Sequence, residues 1–254
     1  MEQALNEKLL NELRERVSEL LAATQLMSGL VREQGDEKDR KCLAVMNHSL
    51  YRMLRTIGHM ELCREDTPFS PQVVDLAGLC RDLGREMERQ AKELGVRFRW
   101  ELEQESVLSL ADEKLLQSAV LNLLTNAFQA AGPEGHVILK CAADKGRCDI
   151  SVWDDGPGLK EPAEEKNPFL KEPGGLGLGL PAVRQIARFH GGVLLLENRE
   201  EGGLRAVLSL PIQEPAFGET VKTPAVDPFG GFSPLLVELS PLLAARDFSA
   251  EDTE

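Results

Sequence analysis

Gly174-Gly175-Leu176-Gly177-Leu178-Gly179-Leu180, followed directly by the amphipathic stretch Pro181 to Phe189, is the part of the sequence whose reading decides the fold. Glycines at alternate positions let backbone amides crowd against an anion with no Cβ atoms in the way. A helix behind them adds its positive N-terminal end. The run therefore reads as a phosphate cradle. It is not a P-loop, because no Gly-Lys-Ser/Thr follows it. A surface loop alone would look the same, so the motifs upstream decide. One is Asp154-Asp155-Gly156-Pro157-Gly158, at the end of the apolar strand Ile150-Ser151-Val152-Trp153. The other is Asn122-Leu123-Leu124-Thr125-Asn126-Ala127, inside a helical pattern.

Composition narrows the field. A chain of 254 residues can bury a core and still carry a second, smaller unit. A formal charge of -13 argues against nucleic acid as a partner, since phosphate backbones need clustered Lys and Arg. No apolar run approaches the roughly 20 residues of a membrane span, and the N-terminal stretch is a charged helix rather than a signal peptide. The five cysteines form no Cys-x-x-Cys pair and sit inside periodic segments, as expected of reduced thiols in a cytoplasmic protein.

Residues 1–66 read as a helical hairpin. Leu10, Leu13, Val17, Leu20, Thr24, Met27 and Val31 keep alternating spacings of three and four, and so do Leu43, Met46, Leu50, Met53, Ile57 and Met60. The polar break at 34–39 turns the chain between them. A lone hairpin has little core, so pairing with a second copy into a four-helix bundle is its natural completion, and packing on its own domain is the alternative. His48 and His59 fall off the apolar stripe and are expected to be exposed.

A linker near 64–68 leads to residues 67–212, where strands alternate with helices. Val74-Asp75-Leu76 starts a helix to about Leu94. Val96, Phe98, Trp100 and Leu102 alternate as a strand, with Val107 to Leu110 as its expected partner. Asp112 caps the helix that holds Asn122 and Asn126. Two strands (136–143 and 147–153), the helix at Pro181 and two more strands (192–197 and 204–210) follow. The pattern makes an α+β fold: a hairpin, then a two-layer sandwich. Residues 213–254 form an acidic tail rich in Pro and Gly, expected to be mostly disordered. Its apolar island, Phe229 to Leu243, either docks on the body or recruits a partner.

Asn122 and Asn126 are four apart and share a helix face, so their amide oxygens can reach one metal ion or its waters; otherwise they are capping or core amides. Phosphoryl chemistry needs such a hard-ligand cation, and Mg²⁺ keeps several waters of its own. Asp154 can accept a hydrogen bond from the exocyclic amine of adenine, or can be an ordinary turn residue. Gly156 and Gly158 permit the tight turn beside it.

In this order the three motifs resemble the nucleotide-binding domain of sensor histidine kinases and their relatives among the gyrase, chaperone and mismatch-repair ATPases. The resemblance spans residues 1 to about 212 and implies ATP and Mg²⁺ as ligands. It assigns the metal to Asn126, with Asn122 standing where the related ATPases carry a water-activating Glu, which implies slow hydrolysis. It assigns adenine to Asp154, with Asp155 where the family usually has Asn. Gly175, Gly177 and Gly179 match the glycines around the triphosphate, with Leu176, Leu178 and Leu180 between them; Leu176 replaces the usual Thr. Leu159 to Pro173 matches the family's lid, and Asn167-Pro168-Phe169 resembles the remnant of its aromatic box. Lys166 or Lys171 reaches the phosphates or remains a solvated charge.

The match fails at one place. Family members carry a phosphoaccepting His followed by an acidic residue, Leu and Arg, whereas this chain has Asn11-Glu12-Leu13-Arg14. An amide nitrogen conjugated to its carbonyl cannot attack phosphorus as imidazole does. Glu12 keeps the position of the general base, and Glu15-Arg16 replaces the expected Thr-Pro. Three functions therefore compete. One is a soluble, cytoplasmic histidine kinase core in two-component signalling. Another is a pseudokinase, an ATP-gated homodimer that regulates a partner without transferring phosphate. The third is a serine kinase of the anti-sigma type, which normally lacks the hairpin. A response regulator or a separate sensor subunit is the implied partner.

Overall fold

The computed structural model describes residues 2–64, 67–159, 177–213 and 233–248. Residues 160–173 of the expected lid, with Lys166, Asn167-Pro168-Phe169 and Lys171, lie outside the described residues, as do Gly174, Gly175 and Leu176. Two compact units emerge, residues 1–61 with 228–254 and residues 62–227.

In the first unit, heptad spacing yields two long helices, α1 (Glu2–Gln34) and α2 (Glu37–Leu62). Asp36 opens α2 by accepting the backbone N–H groups of Lys38 and Asp39 on its carboxylate. Arg14 Nη1 donates to Glu61 Oε2 at 3.0 Å and ties the two helices together. The expected seam divides in two. Leu10, Val17 and Thr24 are buried, as are Leu43, Leu50 and Ile57. Leu13, Leu20 and Met27 are exposed, and so are Met46, Met53 and Met60, each set repeating every seven residues.

The tail departs from the expectation of disorder over residues 233–248. Ser233 caps a short helix, α3 (Pro234–Leu239), with Pro234 in its first turn, and a 3₁₀ turn follows at Ala245–Phe248. Val237, Glu238, Leu239, Leu243 and Phe248 are all buried. This segment corrects the expected exposure of two histidines. His48 Nε2 lies 2.8 Å from the Ser240 carbonyl, with its ring stacked on Phe248. His59 is only 2 % exposed because its Nε2 meets the Glu238 carboxylate at 3.0 Å.

The second unit begins with β1 (Gln72–Asp75) and α4 (Leu76–Leu94), then β2 (Arg97–Leu102), β3 (Leu108–Ala111) and α5 (Glu113–Ala131). β4 (His136–Asp144), β5 (Arg147–Asp154), α6 (Gly179–Phe189), β6 (Val193–Asn198) and β7 (Leu204–Pro211) complete it. The five-stranded sheet runs β2-β4-β5-β7-β6, with β2 parallel to β4 and every other neighbour antiparallel. Alternation sends Val137, Leu139, Cys141, Ile150, Val152, Ala206 and Leu208 into the core, where the helices cover them. Gly84 of α4 has no room for a Cβ, which would lie 2.6 Å from the Trp100 ring of β2. Two expectations shift. Val74 belongs to β1 rather than to the helix, and β3 pairs antiparallel with β1 instead of with β2. Asp75 fixes that corner by accepting the Val107 N–H at 2.9 Å.

Candidate functional site

The candidate residues gather along α5. Asp112 caps its start, accepting the Leu115 N–H on Oδ1 and the Ser70 N–H on Oδ2. The Asp112 N–H is in turn held by His190 Nε2 at 3.0 Å, and burial pushes the His190 imidazole pKa down. Asn122, Asn126 and Ala130 follow at steps of four, so they line one strip of the helix. Asn122 is buried and accepts from Asn126 Nδ2 at 3.0 Å, while Asn126 is half-buried. Asn126 spends its nitrogen on that bond, which leaves its Oδ1 as the atom able to accept or ligate.

Both glycine motifs touch this strip. A Cβ on Gly179 would lie 2.7 Å from Asn122 Oδ1, and one on Gly156 would lie 2.6 Å from the Ala130 carbonyl. The two approaches are eight residues apart, about 12 Å along the axis at a rise of about 1.5 Å per residue. Gly177 and Leu178 lead into α6, and the carbonyl of Leu178 faces the Cys63 thiol at 3.9 Å. Leu180 lies in the first turn of that helix, half-buried like Leu178.

Asp154 ends β5 and is only 4 % exposed. Its Oδ1 accepts the backbone N–H of Gly156 at 2.9 Å and of Leu204 at 3.3 Å. Loss of water around it raises its pKa, and those two N–H groups oppose the rise. Asp155 does different work. Its carboxylate accepts the His136 N–H and meets His136 Nδ1, both at 2.8 Å, and the backbone bond holds its pKa below the usual carboxylate value.

Four residues that sequence reasoning missed secure the turn after Asp154. Asn198 accepts the Leu159 N–H at 2.7 Å and returns a hydrogen bond to the Leu159 carbonyl at 2.8 Å. Gly158, at φ 68°, passes so close that a Cβ would lie 2.8 Å from Asn198 Oδ1. Arg199 Nη1 donates to the Asp154 carbonyl at 3.1 Å, while Gly203 presses on the same carbonyl. Leu204 supplies the N–H already noted. Only the Glu200-Glu201-Gly202-Gly203 turn hinted at this support. Asn11 and Glu12 stand on the exposed face of α1, in the other unit, and Arg14 Nη2 donates to Asn11 Oδ1 at 3.1 Å.

Residues 111–214 match the family described as histidine kinase-, DNA gyrase B-, and HSP90-like ATPase. The matched segment starts just before Asp112 and contains α5, Asp154 and α6. Together with the likenesses that follow, the match supports a histidine kinase core with its ATPase domain. The Adaptive-response sensory kinase SasA of Synechococcus sp. (strain CC9902) is 29 % identical over 173 residues, 63 % of this chain and 45 % of that protein. The catalytic domain of histidine kinase ThkA superposes with a TM-score of 0.52 at 28 % identity, covering 56 % of this chain and 96 % of that one. Full-length ShkA, in complex with AMPPNP, gives a TM-score of 0.67 at 25 % identity over 82 % of this chain and 46 % of its own. The match thus spans less than half the length of the SasA relative. Among the described residues no helix is long and apolar enough to cross a membrane.

Proposed function

We propose that this chain binds ATP with Mg²⁺ along the α5 strip and works as a dimeric histidine-kinase-type module in two-component signal transduction. The observation that carries the reading is the convergence on α5: Gly179 against Asn122, Gly156 against Ala130, and Asn126 between them. The donor set suits the ligand. Neutral amide oxygens are hard ligands fit for a Mg²⁺ that keeps its waters, so Asn126, with Asn122 behind it, would hold the metal. The ion would neutralise phosphate charge. Asp154 would accept the adenine amine on a carboxylate already fixed by two backbone donors. Gly175, Leu176, Gly177, Leu178, Gly179 and Leu180 would present backbone N–H groups to the phosphates, with Gly156 and Gly158 opening the adenine side.

The exposed heptad positions on both helices of the hairpin support a homodimer, because a second copy would bury them in a four-helix bundle. A response regulator or a separate sensor subunit is the partner class that fits such a module, and the cytoplasm the compartment.

A second reading, the pseudokinase, is favoured by specific observations. Asn11 stands where the acceptor is expected, beside Glu12 as the candidate general base. His48 and His59, the other imidazoles of the hairpin, are engaged by residues 233–248. Incubation with γ-labelled ATP separates the readings. A pseudokinase leaves the wild-type chain unlabelled, and Asn11→His restores an acid-labile, base-stable label. Wild-type label that disappears in His48→Ala or His59→Ala overturns the pseudokinase and moves the acceptor to α2.

A further inference from the structure

The residues of α2 that meet the C-terminal segment include Asn47, His48, Tyr51, Arg55 and His59, a stripe at steps of three and four. This face is distinct from the exposed Met46, Met53 and Met60. At its centre Glu238 is fully buried, with Arg55 Nε at 3.1 Å and His59 Nε2 at 3.0 Å from its carboxylate. At one end Phe248 packs on the rings of His48 and Tyr51, and its carbonyl accepts from Asn47 Nδ2 at 3.0 Å. The segment has little order of its own to offer. A helix of six residues lies far below the length at which helices persist alone, so its shape derives from what it sits on. A buried carboxylate recognised by a guanidinium and an imidazole, flanked by an aromatic anchor, is the arrangement of a peptide in a binding seat.

We propose that this face of α2 is a peptide-docking seat, that residues 233–248 are its resident ligand, and that it accepts the same segment in trans. The recognised chemistry is an apolar stretch with a carboxylate at its centre and an aromatic residue ten positions later, as Glu238 and Phe248 stand here. While the segment is seated, it engages Nε2 of both His48 and His59. The covalent link raises the local concentration of the resident ligand, so a free peptide competes poorly until that ligand is released. The seat involves no nucleotide, so its test is separate from that of ATP binding.

The test adds a fluorescent synthetic peptide of residues 233–248 to the full-length chain and follows its polarisation. Glu238→Lys in the chain places a cation beside Arg55 and releases the resident segment. Peptide affinity is then expected to rise at least tenfold over wild type. Phe248→Asp, which removes the aromatic anchor, gives the same rise by an independent route and covers the case in which Glu238→Lys folds poorly. Adding Arg55→Glu to the Phe248→Asp variant abolishes the gain, and a peptide carrying Glu238→Arg restores it. If neither Glu238→Lys nor Phe248→Asp binds the peptide more tightly than wild type, the seat is not exchangeable and the proposal fails.

Discussion

Gly179 and Asn122 are packed so closely that a methyl group on the glycine would lie 2.7 Å from the Asn122 amide oxygen. Asn122 cannot give way cheaply, because it is 1 % exposed and already bonded to Asn126. Gly179→Ala is therefore expected to push the start of α6 off α5. Nucleotide affinity should fall at least tenfold, about 1.4 kcal/mol. Titration of the variant with a fluorescent ATP analogue checks this, and unchanged affinity would mean that this approach is not part of the site.

Asp154 sets function against stability. Its folded-state pKa is raised, so its contribution to stability is full below the unfolded value of 3.8 and is lost as pH rises through the folded one. At neutral pH the ionised side chain is thus a cost. Asp154→Asn keeps an oxygen for the Gly156 and Leu204 N–H groups but turns a donor toward any adenine amine. The variant should melt at the same or a higher temperature than wild type and lose the nucleotide-induced shift. Thermal denaturation with and without ATP reads both.

His190 makes the second unit acid-sensitive. Its Nε2 accepts from the Asp112 N–H and its Nδ1 donates to the Ile186 carbonyl at 2.8 Å, an arrangement that needs a neutral ring. The folded pKa is lowered from 6.5, so the native state binds fewer protons and stability falls as pH drops below that value. Denaturant titrations at pH 7.5 and pH 5 should differ for wild type and differ less for His190→Gln. Equal losses in both would remove His190 from the account.

The dimer test must use the exposed half of the heptads. Leu50 and Ile57 are 8 % and 6 % exposed, so charges there would unfold the hairpin and say little about assembly. Leu20→Lys with Met53→Lys places charge on surface positions that a partner copy would cover. Light scattering should give twice the monomer mass for wild type and the monomer mass for the double variant, with helicity retained. A dimer that persists in the variant would put the interface elsewhere.

Local chemistry made much of this fold legible. Asp112 before an apolar helix, the alternation along β4 and β5, and glycines at 156 and 179 each carried their signal within a few residues. Non-local pairing hid the rest. β1 and β3 have four residues each, and Val74 next to a helix start reads as helix until β3 is seen beside it. Asn198, Arg199, Gly203 and Leu204 all lie more than forty residues from Asp154 in sequence, and no spacing rule connects them. The burial of His59 depends on Glu238, a charge in a stretch whose composition reads as disorder. Composition averages over such a stretch, whereas one buried carboxylate with two partners decides its fate.

Calorimetric titration of the full chain with a non-hydrolysable ATP analogue and Mg²⁺ tests the central claim most directly. Saturable heat for one site per chain is expected, with affinity at least tenfold weaker in Asp154→Asn, about 1.4 kcal/mol. No heat and no thermal shift at millimolar nucleotide would contradict it.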